Sequence, residues 1–317
     1  MTTTINPTPS TDLDDVEART ATDRRRLQRK ELMTNRGLLL PAVIFLVLLT
    51  QIPFLVTVAF SFMKYNLLYP NDRGFSGLEN YKTALTSGEL WSSVRATVLI
   101  TGFSVVLSLL FGLLFAILLD RKLPGRPVAR TLMITPFLVM PVAASLIWKY
   151  SMFDTNIGMI NWLLRSLGLN EVSWITDYPM ATVVIVLTWQ FTPFMMLILL
   201  AGLSGQSKET LEAAQVDGAG TWRTFTWITL PHLRMYIEIG VLLGSVILLQ
   251  VFDPIAILTK GTGGTKTLAY LLYERAFIGL DVGQAAAYGV VTVILTIIVA
   301  TIALRTLFKV FMAGGSR

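Results

Sequence analysis

The apolar positions of this chain do not alternate with polar ones; they come in blocks. Six stretches rich in Leu, Ile, Val, Phe and Ala occupy 37–63, 91–119, 131–153, 180–203, 233–258 and 284–311. Each has at least the ~20 residues a helix needs to cross ~30 Å of hydrocarbon. Barrel strands would be about half as long and would alternate apolar with polar. In lipid every backbone N–H and C=O must find a partner inside the protein, and a helix supplies these partners within one segment. The pattern predicts an all-α membrane protein with six transmembrane helices in a domain spanning 36–312.

The polar intervals set the expected orientation. Residues 1–35 carry Pro7, Pro9 and an acidic then basic run from Asp12 to Lys30. This composition predicts a disordered tail, too long and too polar for the n-region of a cleaved signal peptide. Lys and Arg are unevenly shared. Seventeen lie in the tail, the second-to-third loop, the fourth-to-fifth loop and the C-terminal end; seven lie in the opposite loops. Basic residues stay on the cytoplasmic side, so both termini are expected inside, N-in and C-in. Arg95 and Lys149 fall within spans and are expected to snorkel to the outer interface.

Composition narrows the function. Hydrophobic residues make up 53% of the chain and charged residues 15%, against about 25% charged in a soluble domain. Mean hydropathy is +0.63. The chain has no Cys and one His, His232, which excludes disulfides, thiolate metal sites and His clusters. The net charge of +6 is laid out as a topology signal, so no nucleic-acid partner is expected. The sequence holds no GxxxxGK[ST] loop, and the spans hold no clustered carboxylates. An enzyme is therefore not expected, and ATP hydrolysis by this chain is not either. An ion-coupled secondary transporter is the alternative; it would usually show inverted repeats and buried ionisable groups in the spans.

The loop between the fourth and fifth blocks, 204–232, is the most informative segment. Ser207 is a plausible N-cap for a helix through Leu211 to Ala214. Asp217 and Gly218 end that helix in a tight turn. A second short helix is expected from Thr221, with Trp222, Phe225 and Ile228 recurring every three residues on one apolar face. Pro231 is expected to set a break before the fifth span. Such an apolar and acidic face suits docking into a protein cleft.

The spacing Glu212-Ala213-Ala214, two residues, Asp217-Gly218, nine residues, Ile228-x-Leu230-Pro231 resembles the EAA loop of binding-protein-dependent ABC importer permeases. That resemblance implies the type I importer permease fold. It implies that this loop is the coupling helix seated in a groove of the ATP-binding subunit, with Glu212 pairing to a basic residue there and Gly218 making the turn. ATP and Mg would bind that partner, and no cofactor would bind this chain. The implied partners are a second homologous permease, two ABC ATPase subunits and an extracytoplasmic solute-binding protein. The implied location is the cytoplasmic (inner) membrane of a prokaryote.

Further stretches resemble the carbohydrate (maltose-type) permeases. Phe75-Ser-Gly-Leu-Glu-Asn-Tyr81 looks like their segment after the first span. Gly261-Thr-Gly-Gly264 sits where they carry a Gly-Gly-Pro loop, with the proline missing. Lys64-Tyr-Asn-Leu-Leu68, Pro136-Phe-Leu-Val-Met-Pro141, Leu268-Ala-Tyr-Leu-Leu-Tyr273 and Asp281-Val-Gly283 resemble the polyol (mannitol/sorbitol) branch. A sugar or polyol substrate follows from that likeness. Polar groups facing lipid are costly, so polar and aromatic residues in the spans are candidates for its path: Gln190, Phe191, Phe194, Ser245, Gln250, Phe252 and Asp253. Pro193 and Pro254 free backbone carbonyls toward a cavity there.

Overall fold

The structure, a computed structural model, describes residues 40–121 and 124–312. The predicted tail 1–35 lies outside the described residues. The chain divides into two compact units, Met1–Ala59 and Phe60–Arg317. Described residues of the first unit form most of helix α1, Leu40–Ser61, an unbroken apolar span.

The second unit is helical apart from a two-stranded ribbon, β1 (Met63–Lys64) paired antiparallel with β2 (Gly74–Phe75). Its helices follow as α2 (Glu79–Thr86), α3 (Gly88–Asp120), α4 (Arg126–Leu138), α5 (Pro141–Ile147), α6 (Met159–Ser166), α7 (Trp174–Asp177), α8 (Pro179–Ser204), α9 (Lys208–Val216), α10 (Thr221–Thr224), α11 (Leu230–Leu248), α12 (Leu268–Tyr273) and α13 (Val282–Met312). Four π-helical turns interrupt them among the described residues: Trp148–Met152, Phe225–Thr229, Ile255–Thr259 and Glu274–Ile278.

The core is the seam between α3 and α8, which run parallel. Ser93, Thr97, Thr101, Ser104, Ser108, Gly112 and Ala116 recur every three or four residues on the buried face of α3. Small side chains let two backbones approach closely, which matters where lipid removes the hydrophobic pull between helices. At Gly112 the approach is closest: a Cβ would lie 2.7 Å from Met195 Cβ and 2.9 Å from the Met196 backbone nitrogen. Ile100, Val105, Val183, Val186, Leu187 and Met195 fill one half of the core; Ala116, Leu119, Met196, Leu199, Leu200 and Leu203 fill the other. Antiparallel α11 lies against α8 through Gly240 and Gly244, which face Met195.

Two predicted spans depart from straight helices. The third, 131–153, is a bent pair: α4 and the stretch Pro141–Met152 meet at 99°. Val139 and Met140 are extended, with ψ near 131° and 134°. Met140 precedes Pro141, whose ring disfavours the helical conformation at the residue before it. The freed Val139 carbonyl accepts a bond from Gln190 Nε2 at 3.0 Å. The fifth span, 233–258, stops being helix after Leu248. A turn at 249–250 and two residues without regular structure at 251–252 follow, then a short helical piece ending in the π turn Ile255–Thr259. Lys149 Nζ donates to the Ile257 carbonyl at 2.7 Å and ties the bent pair to this irregular stretch. Among the described residues four helices are long and apolar enough to cross a membrane, or five if the bent pair is one span.

At the end where α3 begins, three stretches distant in sequence interlock. Asn80 Nδ2 donates to the carbonyls of Ser61 and Met63 at 3.0 and 2.9 Å. Leu67 N–H donates to Leu280 O at 2.9 Å, and Asn66 Nδ2 to Asp281 Oδ2 at 3.2 Å. Gly283 N–H donates to Tyr65 O at 3.0 Å; a Cβ on Gly283 would sit 2.2 Å from Met63 O. The glycine is required by the close approach of two backbones.

Replacing Gly112 by Val should destabilise the detergent-purified protein by roughly 1–3 kcal/mol, because the added carbons meet Met195 Cβ and the Met195–Met196 backbone, none of which can swing aside. Gly102→Ala, facing open space, should leave the melting temperature unchanged. Equal melting for Gly112→Val and wild type would contradict the tight seam.

Candidate functional site

The segment 207–231 forms an exposed corner at the far end of α3 and α8. Ser207 Oγ accepts from Thr210 N–H at 3.4 Å and caps α9 as expected. The helix ends on Asp217, and Gly218 takes φ +76°. Gly218 N–H donates to Gln215 O at 3.0 Å and Ala219 N–H to Ala214 O at 2.9 Å. These bonds satisfy the last carbonyls of α9 in a left-handed turn. Ala214 is buried, so it fixes the helix to the body; Glu212, Ala213, Asp217 and Gly218 are exposed. Val216 is 87% exposed and Trp222 and Trp227 are 77% exposed. The same segment thus exposes two indoles, one of them packed on Phe225, and the carboxylates of Glu212 and Asp217.

Beyond the turn the expectation fails in two ways. Pro231 does not break the chain: Thr221–Leu248 is one continuous helical stretch of 28 residues. Pro231 sits in the first turn of α11 directly after the π turn Phe225–Thr229. The widened turn absorbs the missing N–H that would otherwise kink the helix. The π turn also moves residues off a three-residue repeat. Trp222 therefore points outward while Phe225 and Ile228 are half-buried, and Leu230 and Pro231 are exposed. His232 Nε2 lies 3.0 Å from Gly202 O, and Leu233 is buried beside Gly202. These contacts clamp the start of α11 to the end of α8. A cleft of about 380 Å³ separates the corner from those ends, lined by Ile117, Asp120, Gln206, Gln215 and Phe225 among others.

The path candidates fall into three surroundings. Gln190 is buried and spends an amide N–H on Val139. Phe191 is buried in the core; its ring centroid lies 6.1 Å from that of Phe137, and Phe194 stacks on Phe137 at 5.5 Å. Phe252, with Phe194, packs against the same core cluster, 5.0 Å from Tyr273 and 6.1 Å from Tyr270. Ser245 is half-buried on α11, and Asp253 is half-buried just before Pro254. Gln250 is exposed, with Nε2 3.3 Å from Val246 O. Trp189 and Pro193 instead line an apolar cleft of about 490 Å³ with Phe111, Met133 and Pro136. Phe137, Lys149, Tyr270 and Tyr273 were missed by sequence reasoning. For the tyrosines the signal was present: positions 270, 273 and 277 are aromatic at helical spacing. Burial, and next the Glu274 charge, pushes the Tyr270 phenol above its ordinary value, so it remains a neutral donor.

A model of the family described as "binding-protein-dependent transport system inner membrane component" matches residues 108–312. A probable ABC transporter permease of Sinorhizobium fredii is 34% identical over 289 residues, covering 90% of this chain and 93% of that one. A trehalose transport system permease of Mycobacterium tuberculosis is 33% identical over 304 residues, covering 95% and 97%. The fold is shared with a chain of a bacterial alginate ABC transporter solved in complex with an alginate pentasaccharide-bound periplasmic protein. The TM-score is 0.74 at 20% identity, over 90% of this chain and 97% of that one.

Gly218→Val forces a branched side chain into the left-handed region, a cost on the order of 1–2 kcal/mol with no compensating contact. Trypsin should then cut faster at Lys208 and Arg223, whereas Gly218→Asn should keep the wild-type digestion pattern. Identical digestion of all three would show that the turn does not depend on its glycine.

Proposed function

This chain belongs to the family of binding-protein-dependent transport system inner membrane components, and we propose that it is the membrane-spanning permease of an ATP-driven sugar importer in which 207–231 docks on the ATPase. The exposed corner carries this reading. Glu212, Asp217, Trp222 and Trp227 stand in solvent on a rigid turn, and a surface of that kind is built to be covered. Ala214, Gly218, Ile228, Leu230 and Pro231 shape the corner; Glu212 supplies the charge for a basic partner. ATP and Mg bind the partner ATPase.

The chain crosses the membrane six times, counting α1, α3, the bent pair, α8, the stretch from Thr221 to Leu248, and α13. The corner then lies in the cytoplasm and the interlocked stretches around Asn80 and Asp281 lie outside, in keeping with the distribution of Lys and Arg. A second permease completes the pathway, two ATPases drive it, and an extracytoplasmic binding protein delivers the solute. The solute is carbohydrate-like, as the trehalose permease among the relatives suggests; a polyol is the narrower reading, carried by motif similarity. Gln190, Phe191, Phe194, Ser245, Gln250, Phe252 and Asp253 border its route. Family membership leaves the ion-coupled alternative without support.

Topology is open to direct labelling, since the chain has no Cys. A Cys at position 75 or 262 should react with an impermeant thiol reagent in intact cells, and one at 210 should not; the opposite pattern would invert the scheme.

Glu212→Ala should weaken ATPase docking about ten- to hundredfold, the scale of a charge-assisted hydrogen bond of roughly 1.5–3 kcal/mol. The measurement is ATPase co-purified per permease, read alongside uptake. Wild-type values in both would remove the coupling role.

A further inference from the structure

At the end of α3 opposite the corner, aromatic rings form a continuous row. Phe252 lies 5.0 Å from Tyr273, Tyr270 lies 6.0 Å from Tyr273, and Tyr273 lies 5.4 Å from Phe277, centroid to centroid. Exposure rises along the row: Tyr270 is 6% exposed, Tyr273 38% and Phe277 71%. The row therefore leads from the core cluster that holds Phe191 and Phe194 out to the surface.

The backbone beneath these rings is fixed by bonds that do not involve them. Thr267 Oγ1 caps α12, accepting from Tyr270 N–H at 3.4 Å and donating to Val251 O at 3.3 Å. Leu268 N–H donates to Thr97 Oγ1 at 2.9 Å. Lys266 Nζ pairs with Glu274 Oε2 at 2.5 Å, and Arg275 pairs with Glu89 while its guanidinium lies over the Tyr288 ring at 5.6 Å. A row held this firmly loses little entropy when a ligand settles on it.

The same ion pairs identify the medium. Lys266, Glu274, Arg275 and Glu89 keep 25–46% of their side-chain surface accessible. Charges left that open are costly in hydrocarbon, so this end of the protein meets water. Tyr273 and Phe277 thus leave part of their rings open on a braced support at the wet end of the protein, and exposed aromatic surface of this kind is a candidate for covering by a ligand.

We propose that Phe252, Tyr273 and Phe277, backed by Tyr270, form an aromatic track on which the pyranose rings of the incoming solute stack as they pass to the core of the permease. Sugar rings present C–H faces that flat aromatic rings cover, while hydroxyls on their edges stay free for water or for Asp253 and the Tyr273 phenol. The assignment rests on the sugar-permease reading and adds to it the side chains that handle the solute outside the spans.

The test separates flat rings from mere apolar bulk. In the assembled importer with its binding protein, uptake of radiolabelled trehalose, maltose and maltotriose is measured for wild type, Tyr273→Phe, Tyr273→Leu, Phe277→Tyr and Phe277→Leu. The track predicts that both leucine variants lose at least about fivefold of the maximal rate for the transported sugar, with the complex purified in undiminished yield. Both aromatic variants should stay within twofold. If leucine transports as well as wild type, the row is packing for lipid or a neighbouring subunit and the track is overturned. Equal loss in the leucine and aromatic variants overturns it too. If Tyr273→Leu does not assemble, Phe277→Leu decides, its ring being mostly outside the fold. Should wild type move none of the three sugars, sorbitol uptake decides: transport of this open-chain polyol overturns the track alone, since it has no pyranose ring to stack, and no transport of it fails the carbohydrate-like reading and the track with it.

Discussion

Hydrocarbon removes the force that assembles a soluble core. Lipid tails are as apolar as leucine, so two helices gain little by hiding apolar surface from lipid and must be held by close contact. The seam of α3 and α8 meets this constraint with small residues, and its polar atoms show that size governs the choice. Ser93, Thr101, Ser104 and Thr188 each bury a hydroxyl that finds no hydrogen-bond partner. An unpaired buried hydroxyl costs about 1–3 kcal/mol. These residues are therefore poor choices as hydrogen-bonding groups and good ones as small groups. Once the seam is closed, α8 offers its other flank to α11, where Gly240 and Gly244 face Met195 in their turn.

The seam also makes room for irregular backbone. Backbone that leaves the regular helix inside an apolar segment survives only where protein or a water-filled cavity supplies partners. Val139 finds Gln190 on α8, and Ile257 finds Lys149 on the bent pair. Each side chain reads as polar or charged in an otherwise apolar segment, and each is bound to a carbonyl released by a nearby break. The two breaks thus belong to one network. Moving the bent pair relative to the stretch after α11 must break the Lys149 bond or carry the stretch along.

Much of this was legible in hydropathy and in turn chemistry. The second and fourth blocks became α3 and α8 within three residues at each end, because an uninterrupted apolar run leaves the backbone no partner except its own helix. Gly218 was legible because a left-handed turn after Glu212-Ala213-Ala214 has one cheap residue. The bent third span was not, since hydropathy records how apolar a residue is and not where the helix axis points. Nor was the end of α11: Val251 and Phe252 are as apolar as the helix before them. Pro231 misled because its effect depends on the turn before it, and a π turn has no sequence mark as plain as proline. Of the path candidates, Gln190 carried a real signal with two possible causes. A buried amide serves a solute or a stranded carbonyl, and only coordinates show the carbonyl within reach.

The uninterrupted helix through Pro231 changes what the proposed docking would do. A break there would have made the corner a flexible tether, able to hold an ATPase but not to push on anything. Without the break, Trp222 at one end and Leu248 at the other belong to a single stretch of 28 residues, about 42 Å long at 1.5 Å per residue. His232 and Leu233 brace it against Gly202 near the corner, so that contact is the natural fulcrum. A small tilt forced on the corner becomes a larger displacement at Leu248, where the backbone turns into the irregular stretch that Lys149 holds. A ligand shifts such an equilibrium only by contacting its two states differently. A partner gripping the exposed indoles would meet that requirement, because Trp222 and Trp227 belong to the same helical stretch as α11. The helix runs unbroken through the π turn at Phe225–Thr229, so the surface where energy would enter and the end where the path would open belong to one stretch.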